Sequence, residues 1–127
     1  MWEEGLMRKV RWTVPLTVAA CLMSAPAHAD RFKEVVVVTH VDVDPQNVDL
    51  AKTFLLPFVE QSRTDPGVVS FTLITQDPTT NHFQLIEVFR DMRAFDDHVS
   101  AKHTIEFRTD LQPLLGAPYD ERLYRAE

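Results

Sequence analysis

The hydrophobic positions change rhythm several times between Phe32 and Ala126, and each change marks an element. Phe32 to Val43 holds Val35-Val36-Val37-Val38, a β-branched run that predicts a strand buried on both faces. From Val48 the spacing becomes three and four. Val48, Ala51, Leu55, Phe58 and Val59 draw one apolar stripe, a helix for which Asp44 supplies the cap and Pro45 the first position. Pro57 falls inside that stripe, removes a backbone hydrogen bond and predicts a kink. Asp65-Pro66-Gly67 reads as a turn. Val68 to Gln76 and His82 to Arg90, joined by Asp77-Pro78-Thr79-Thr80-Asn81, then predict a hairpin with a longer loop. Asp91 can cap a short helix with Met92, Phe95 and Val99 inward. A second helical stretch from Ala101 to about Gln112 puts His103, Phe107 and Leu111 on one face before Pro113 and Gly116 stop it. Arg122 to Ala126 predicts a short last strand.

The order β-α-β-β-α-β predicts an α+β, ferredoxin-like antiparallel sheet with its helices on one face. A sheet with one face in water should alternate apolar and polar residues. Val68-Val69-Ser70-Phe71-Thr72-Leu73-Ile74 and Phe83 to Phe89 instead place apolar side chains on both sides. The expectation is a homodimer in which two sheets pack face to face.

The N-terminal stretch has a different character. Arg8, Lys9 and Arg11 precede an uncharged run from Trp12 to Met23, and Ala27-His28-Ala29 has the small-x-small form of a signal peptidase site. The run is too short for the roughly 20 apolar residues that span a bilayer. Met1 to Ala29 is therefore expected to be a cleaved leader, with Met7 as an alternative start, and residues 30–127 a periplasmic or secreted domain with no stable membrane insertion. Val18-Ala19-Ala20-Cys21 also fits a lipobox, which would anchor a lipoprotein through Cys21. Both tryptophans and the only cysteine lie within this leader, so the remaining body has no disulfide, thiolate nucleophile or cysteine metal site. The chain carries a net charge of −6, which argues against a nucleic-acid partner.

Four histidines follow the leader. His40 beside Asp42 and Asp44, and His82 after a loop, read as solvated polar residues. His98 and His103 lie on or beside apolar helical stripes, near Phe95 and Phe107. Their separation of five does not suit two metal ligands on one helix face. They could share an ion only if the helix broke near Ser100, with Glu87 or Glu106 as third ligand. Glu87 shares a strand face with Phe83, Leu85 and Phe89, so its carboxyl should be partly desolvated, its pKa raised, and a histidine its natural partner. Gly67 and Gly116 alone cannot build a phosphate loop, and no Gly-x-Ser-x-Gly elbow is present.

Taken in order, Asp65-Pro66-Gly67-Val68-Val69-Ser70-Phe71, Asp77-Pro78, Phe83-x-x-x-Glu87-x-Phe89, Ala94-x-x-x-His98 and His103 resemble antibiotic biosynthesis monooxygenase (ABM) domains, including their quinol monooxygenase-like members. The resemblance runs from Val35 to Tyr124. It implies a dimeric α+β barrel with a pocket between helices and sheet in each subunit. Phe89 stands where many members have tryptophan, Phe71 where they have tyrosine and Ala101 where serine is common. The haem-degrading branch is not matched, since Arg108 falls near its iron-binding histidine and arginine does not ligate haem iron. The implied chemistry uses no metal or flavin: an electron-rich phenol, quinol or anthrone is deprotonated, and its anion reduces dioxygen. On this reading His98 is the base or the hydrogen-bond partner of the substrate, His103 and Glu87 support it, and Phe71, Phe89 and Phe107 line the pocket for a small aromatic substrate. Two other functions fit the same residues, an isomerase acting on a small carbonyl compound and a non-catalytic binder of an apolar ligand.

Overall fold

A computed structural model describes residues 33–125 and residue 127; the expected leader with Cys21, together with Phe32 and Ala126, lies outside the described residues. The elements are β1 (Val35–Asp42), a 3₁₀ turn (Pro45–Asn47), α1 (Val48–Ser62), β2 (Val68–Thr75), β3 (His82–Phe89), α2 (Met92–Ser100), α3 (Lys102–Leu111), a second 3₁₀ turn (Gln112–Leu114) and β4 (Asp120–Arg125). The strands form one four-stranded antiparallel sheet in the order β2-β3-β1-β4, the ferredoxin-like arrangement expected from the element order.

Alternation decides which side chains reach the helices. Val35, Val37, Thr39 and Val41 of β1 are buried, as are Phe83, Leu85, Glu87 and Phe89 of β3. Ala51, Leu55, Phe58 and Val59 of α1, Ala94 and Phe95 of α2, and Phe107 and Leu111 of α3 close the core over them. The opposite face carries half-buried Val36, Val38, Ile86 and Val88, with Ile74 44% and Tyr124 48% exposed. The valine run of β1 is thus fully buried on one face only, contrary to expectation. All the described helices pack on the same side of the sheet.

Several expected boundaries shift. The Asp44 side chain caps nothing; its backbone carbonyl accepts from Asn47 N in the 3₁₀ turn, and the α-helix begins only at Val48. Past Asp42, Val43 makes only an isolated bridge to Leu115, which ties the strand end to the segment after α3. Helix α1 runs from Val48 to Ser62 as one element with Pro57 inside it, as the stripe predicted. The last strand starts at Asp120 because Asp120 and Glu121 find partners in His40 and Thr39. Asp91 does cap α2, its Oδ1 accepting from Ala94 N at 2.9 Å. No described helix is long and apolar enough to cross a membrane.

Candidate active site

Three backbone features bring the histidines together. The first is the turn after α1. Gly67 has φ +83°, and a Cβ there would stand 2.5 Å from Ala94 Cβ, so only glycine lets this turn lie against α2. The turn places Asp65 beneath the end of α2. The second is the register of α2, which turns Ala94 and His98, one helical turn apart, towards the core. The third is Ala101, whose extended backbone (ψ 143°) ends α2 and starts α3. Its N–H donates to the His98 carbonyl, and its own carbonyl accepts from Thr104 N and Ile105 N. The helix therefore breaks at the place a shared site requires, and His103 folds back until its ring lies 5.8 Å from that of His98.

Asp65 links the two rings. Its Oδ2 is 2.8 Å from His98 Nδ1 and 2.9 Å from His103 Nε2. A carboxylate only accepts, so His98 presents Nδ1–H to it and keeps its lone pair on Nε2. His103 Nε2 is buried and makes no well-aligned hydrogen bond at that distance. Burial holds the His98 imidazolium form down and outweighs Asp65, which favours it, so the His98 pKa is lowered. The acidic member of this group is Asp65, in place of the Glu87 or Glu106 anticipated as a third ligand. Its signal in the sequence was present in the Asp-Pro-Gly turn, but a turn aspartate is usually explained by local backbone hydrogen bonds.

Aromatic rings surround the group. Phe58 stacks on Phe107 at 3.7 Å and lies 5.8 Å from His98 and 6.0 Å from His103. Phe71 and Phe89 flank His98 at 5.5 and 5.2 Å. Between α1 and α3 a cleft of about 160 Å³ opens to solvent, lined by Thr53, Phe54, Pro57, Phe58, Gln61, His103, Glu106 and Phe107. Of the residues expected to line a pocket, Phe107 does so, whereas Phe71 and Phe89 are core residues behind His98. Phe58 and Phe54 join the site from a helix stripe that by itself reads only as core. His98 is not on the cleft wall, and its side chain is 2% exposed; His103 is the member that meets the cleft.

Glu87 belongs to a different group. Thr39 Oγ1 donates to Glu87 Oε1 at 3.1 Å, and no described histidine partners it, which corrects the expected pairing. Burial, then the nearby Glu121 carboxylate, push its pKa up to about 8, with Thr39 and Arg108 opposing. Arg108 is ion-paired to Glu121 and lies over the Tyr119 ring at 5.2 Å. His82 and His40 also have partners: His82 Nδ1 pairs with Asp42 at 2.5 Å, and His40 contacts Gln84 at 3.2 Å.

Fold and site define a ferredoxin-like domain with a carboxylate-linked histidine pair at the edge of an aromatic cleft. Residues 18–110 match the model of the antibiotic biosynthesis monooxygenase (ABM) family, and the chain belongs to that family. It is 27% identical over 108 residues to the uncharacterized protein sll1783 of Synechocystis sp., covering 82% of this chain and 74% of that one. Among solved structures it is similar to a conserved protein of Methanosarcina mazei Go1, with TM-score 0.72, 17% identity, and 79% and 99% of the two chains covered. It is also similar to Rv0793 of Mycobacterium tuberculosis, with TM-score 0.68, 21% identity, and 72% and 92% covered. A structure named antibiotic biosynthesis monooxygenase matches with TM-score 0.70, 20% identity, and 73% and 98% covered. At these identities the structural matches speak for the fold.

Proposed function

We propose that the protein is a monooxygenase of small phenol- or quinol-like aromatics, and that its base is the His98–Asp65–His103 unit. The observation that carries this reading is the sharing of one carboxylate oxygen by two imidazoles beside an aromatic cleft. The substrate ring packs among Phe54, Phe58 and Phe107. His103, on the cleft wall, accepts the phenolic proton, and Asp65 stabilises the imidazolium that forms. His98, which burial disfavours as a cation, keeps the Asp65 carboxylate in place. The substrate anion then passes electrons to dioxygen. For a quinol, one oxygen atom ends on a ring carbon, the other leaves as water, and the product is a hydroxyquinone; the substrate supplies all the electrons. Oxygen uptake with a panel of benzoquinols, naphthoquinols and anthrones tests this, with the oxygenated product identified by mass. No uptake, together with an unmodified apolar ligand retained by the purified protein, would favour a binding function.

We further propose a homodimer through the open face of the sheet. Val36, Val38, Ile86, Val88, Ile74 and Tyr124 make that face apolar, and a monomer seldom leaves such a patch in water. Sedimentation at micromolar concentration should give twice the chain mass; a soluble monomer overturns this.

A further inference from the structure

We propose that Asp65, His98 and His103 form a binding site for one first-row divalent cation, and that this cation silences the histidine base. The inference shares its residues with the proposed activity, but its first test needs no substrate.

The donors come from a turn and two helix ends, so no helical spacing limits how they converge. Asp65 Oδ2, His98 Nδ1 and His103 Nε2 all lie within 4.8 Å of one another, and the two oxygen-to-nitrogen distances are 2.8 and 2.9 Å. Around an ion with bonds of about 2.1 Å, adjacent ligands stand about 3.0 Å apart at right angles and about 3.4 Å apart in a tetrahedron. The two oxygen-to-nitrogen edges already have nearly the right-angle length. His103 Nε2 supplies an independent indication. It is a buried nitrogen close to a carboxylate without an aligned hydrogen bond, the state in which an ion can satisfy both atoms.

Donor chemistry selects the ion. Two imidazoles and one carboxylate suit Zn²⁺, Fe²⁺, Ni²⁺ or Cu²⁺, whereas Mg²⁺ and Ca²⁺ prefer oxygen ligands throughout. One carboxylate offsets half the ion's charge. Three protein ligands leave a position open, and the cleft beside His103 is where water or a phenolate would fill it.

The conflict with base chemistry follows from the tautomers. An ion uses the lone pairs of His98 Nδ1 and His103 Nε2, so the proton of each neutral ring moves to its other nitrogen. No lone pair then remains on either imidazole to accept a substrate proton. Cation occupancy and proton acceptance exclude each other.

The test begins with the full-length protein freed of metal by chelation. Equilibrium dialysis against Zn²⁺ should show one ion per chain, and Co²⁺ should give d–d absorption distinct from the aqueous ion. Asp65→Asn and His103→Ala should lose both signals, while His82→Ala, which removes the partner of Asp42, should keep them. Zn²⁺ should raise the melting temperature of the wild type and of His82→Ala only, a readout that also shows the variants are folded. Absence of binding by the wild type, or binding unchanged in Asp65→Asn and His103→Ala, overturns the site. Where oxygen uptake is measurable, Zn²⁺ should abolish it in step with occupancy. Uptake that requires the metal would overturn the exclusion. A protein that oxidises nothing on the panel but binds the ion leaves the site standing and removes only the proposed reaction.

Discussion

Asp65, His98 and His103 meet from a turn and two helix ends, whereas Glu87, Thr39 and Glu121 are neighbours on the three adjacent strands β3, β1 and β4. In the first cluster two imidazoles compete for one carboxylate. In the second, two carboxylates have one guanidinium between them; Arg108 pairs with Glu121, and Glu87 is left with the Thr39 hydroxyl. Burial acts on both clusters in the direction that removes charge, lowering His98 and raising Glu87. The consequences differ because of where each cluster opens. His103 reaches the cleft, so the histidine cluster can exchange a proton or an ion with whatever binds there. Glu87 is 3% exposed and lines no part of that cleft, so its protonation bears on stability.

The largest expected effect lies in the first cluster. His103→Ala should reduce turnover on a true substrate by about two to four orders of magnitude, the usual range for a positioned base. His82→Ala should leave turnover unchanged, since that residue pairs with Asp42 away from the cleft. Equal rates for the two variants would remove the base role from the cleft histidine. Asp65→Asn should retain the fold and lose a smaller factor, about ten- to a hundredfold, because the imidazolium is stabilised less.

Gly67→Ala breaks the support of the first cluster without touching its chemistry. The positive φ and the 2.5 Å approach to Ala94 Cβ should together cost about 2–3 kcal/mol, read as a lower denaturation midpoint. A midpoint equal to wild type would show that the turn and α2 move apart easily.

Glu87→Gln sharpens the contrast. A carboxyl raised from 4.5 to about 8 by folding contributes its full share of stability below pH 4.5 and loses it as pH rises through 8. The amide keeps an acceptor for Thr39 and cannot ionise. It should therefore stabilise the protein by about 1–3 kcal/mol at pH 8.5 and hardly at all at pH 4.5, measured by urea denaturation at each pH. His98 has the opposite sign. Its lowered pKa means that the unfolded chain binds more protons below pH 6.5, so stability falls with acidification until the folded-state value is passed. That slope, at most about 1.4 kcal/mol per pH unit for one proton, should be absent below pH 6.5 in His98→Gln and intact in Glu87→Gln.

Periodicity alone determined much of this protein. The βαββαβ order, the Asp91 cap, the inward set Phe95, Phe107 and Leu111, and the break between the two late helical stretches all depend on neighbours a few residues apart. The desolvated Glu87 was also legible, because its strand face is lined by Phe83, Leu85 and Phe89. Other features involve residues far apart in sequence, and those only the tertiary structure decided. Asp65 reaches His98 across 33 positions through a glycine-dependent turn, and Thr39 reaches Glu87 across 48 through strand register. Phe58 passed for ordinary core because a helix stripe looks the same whether it covers a strand or stacks on Phe107 beside a cleft. Sequence spacing reports which face a side chain points to; which partner it finds there depends on how the turn, the register and the helix break bring distant faces into contact.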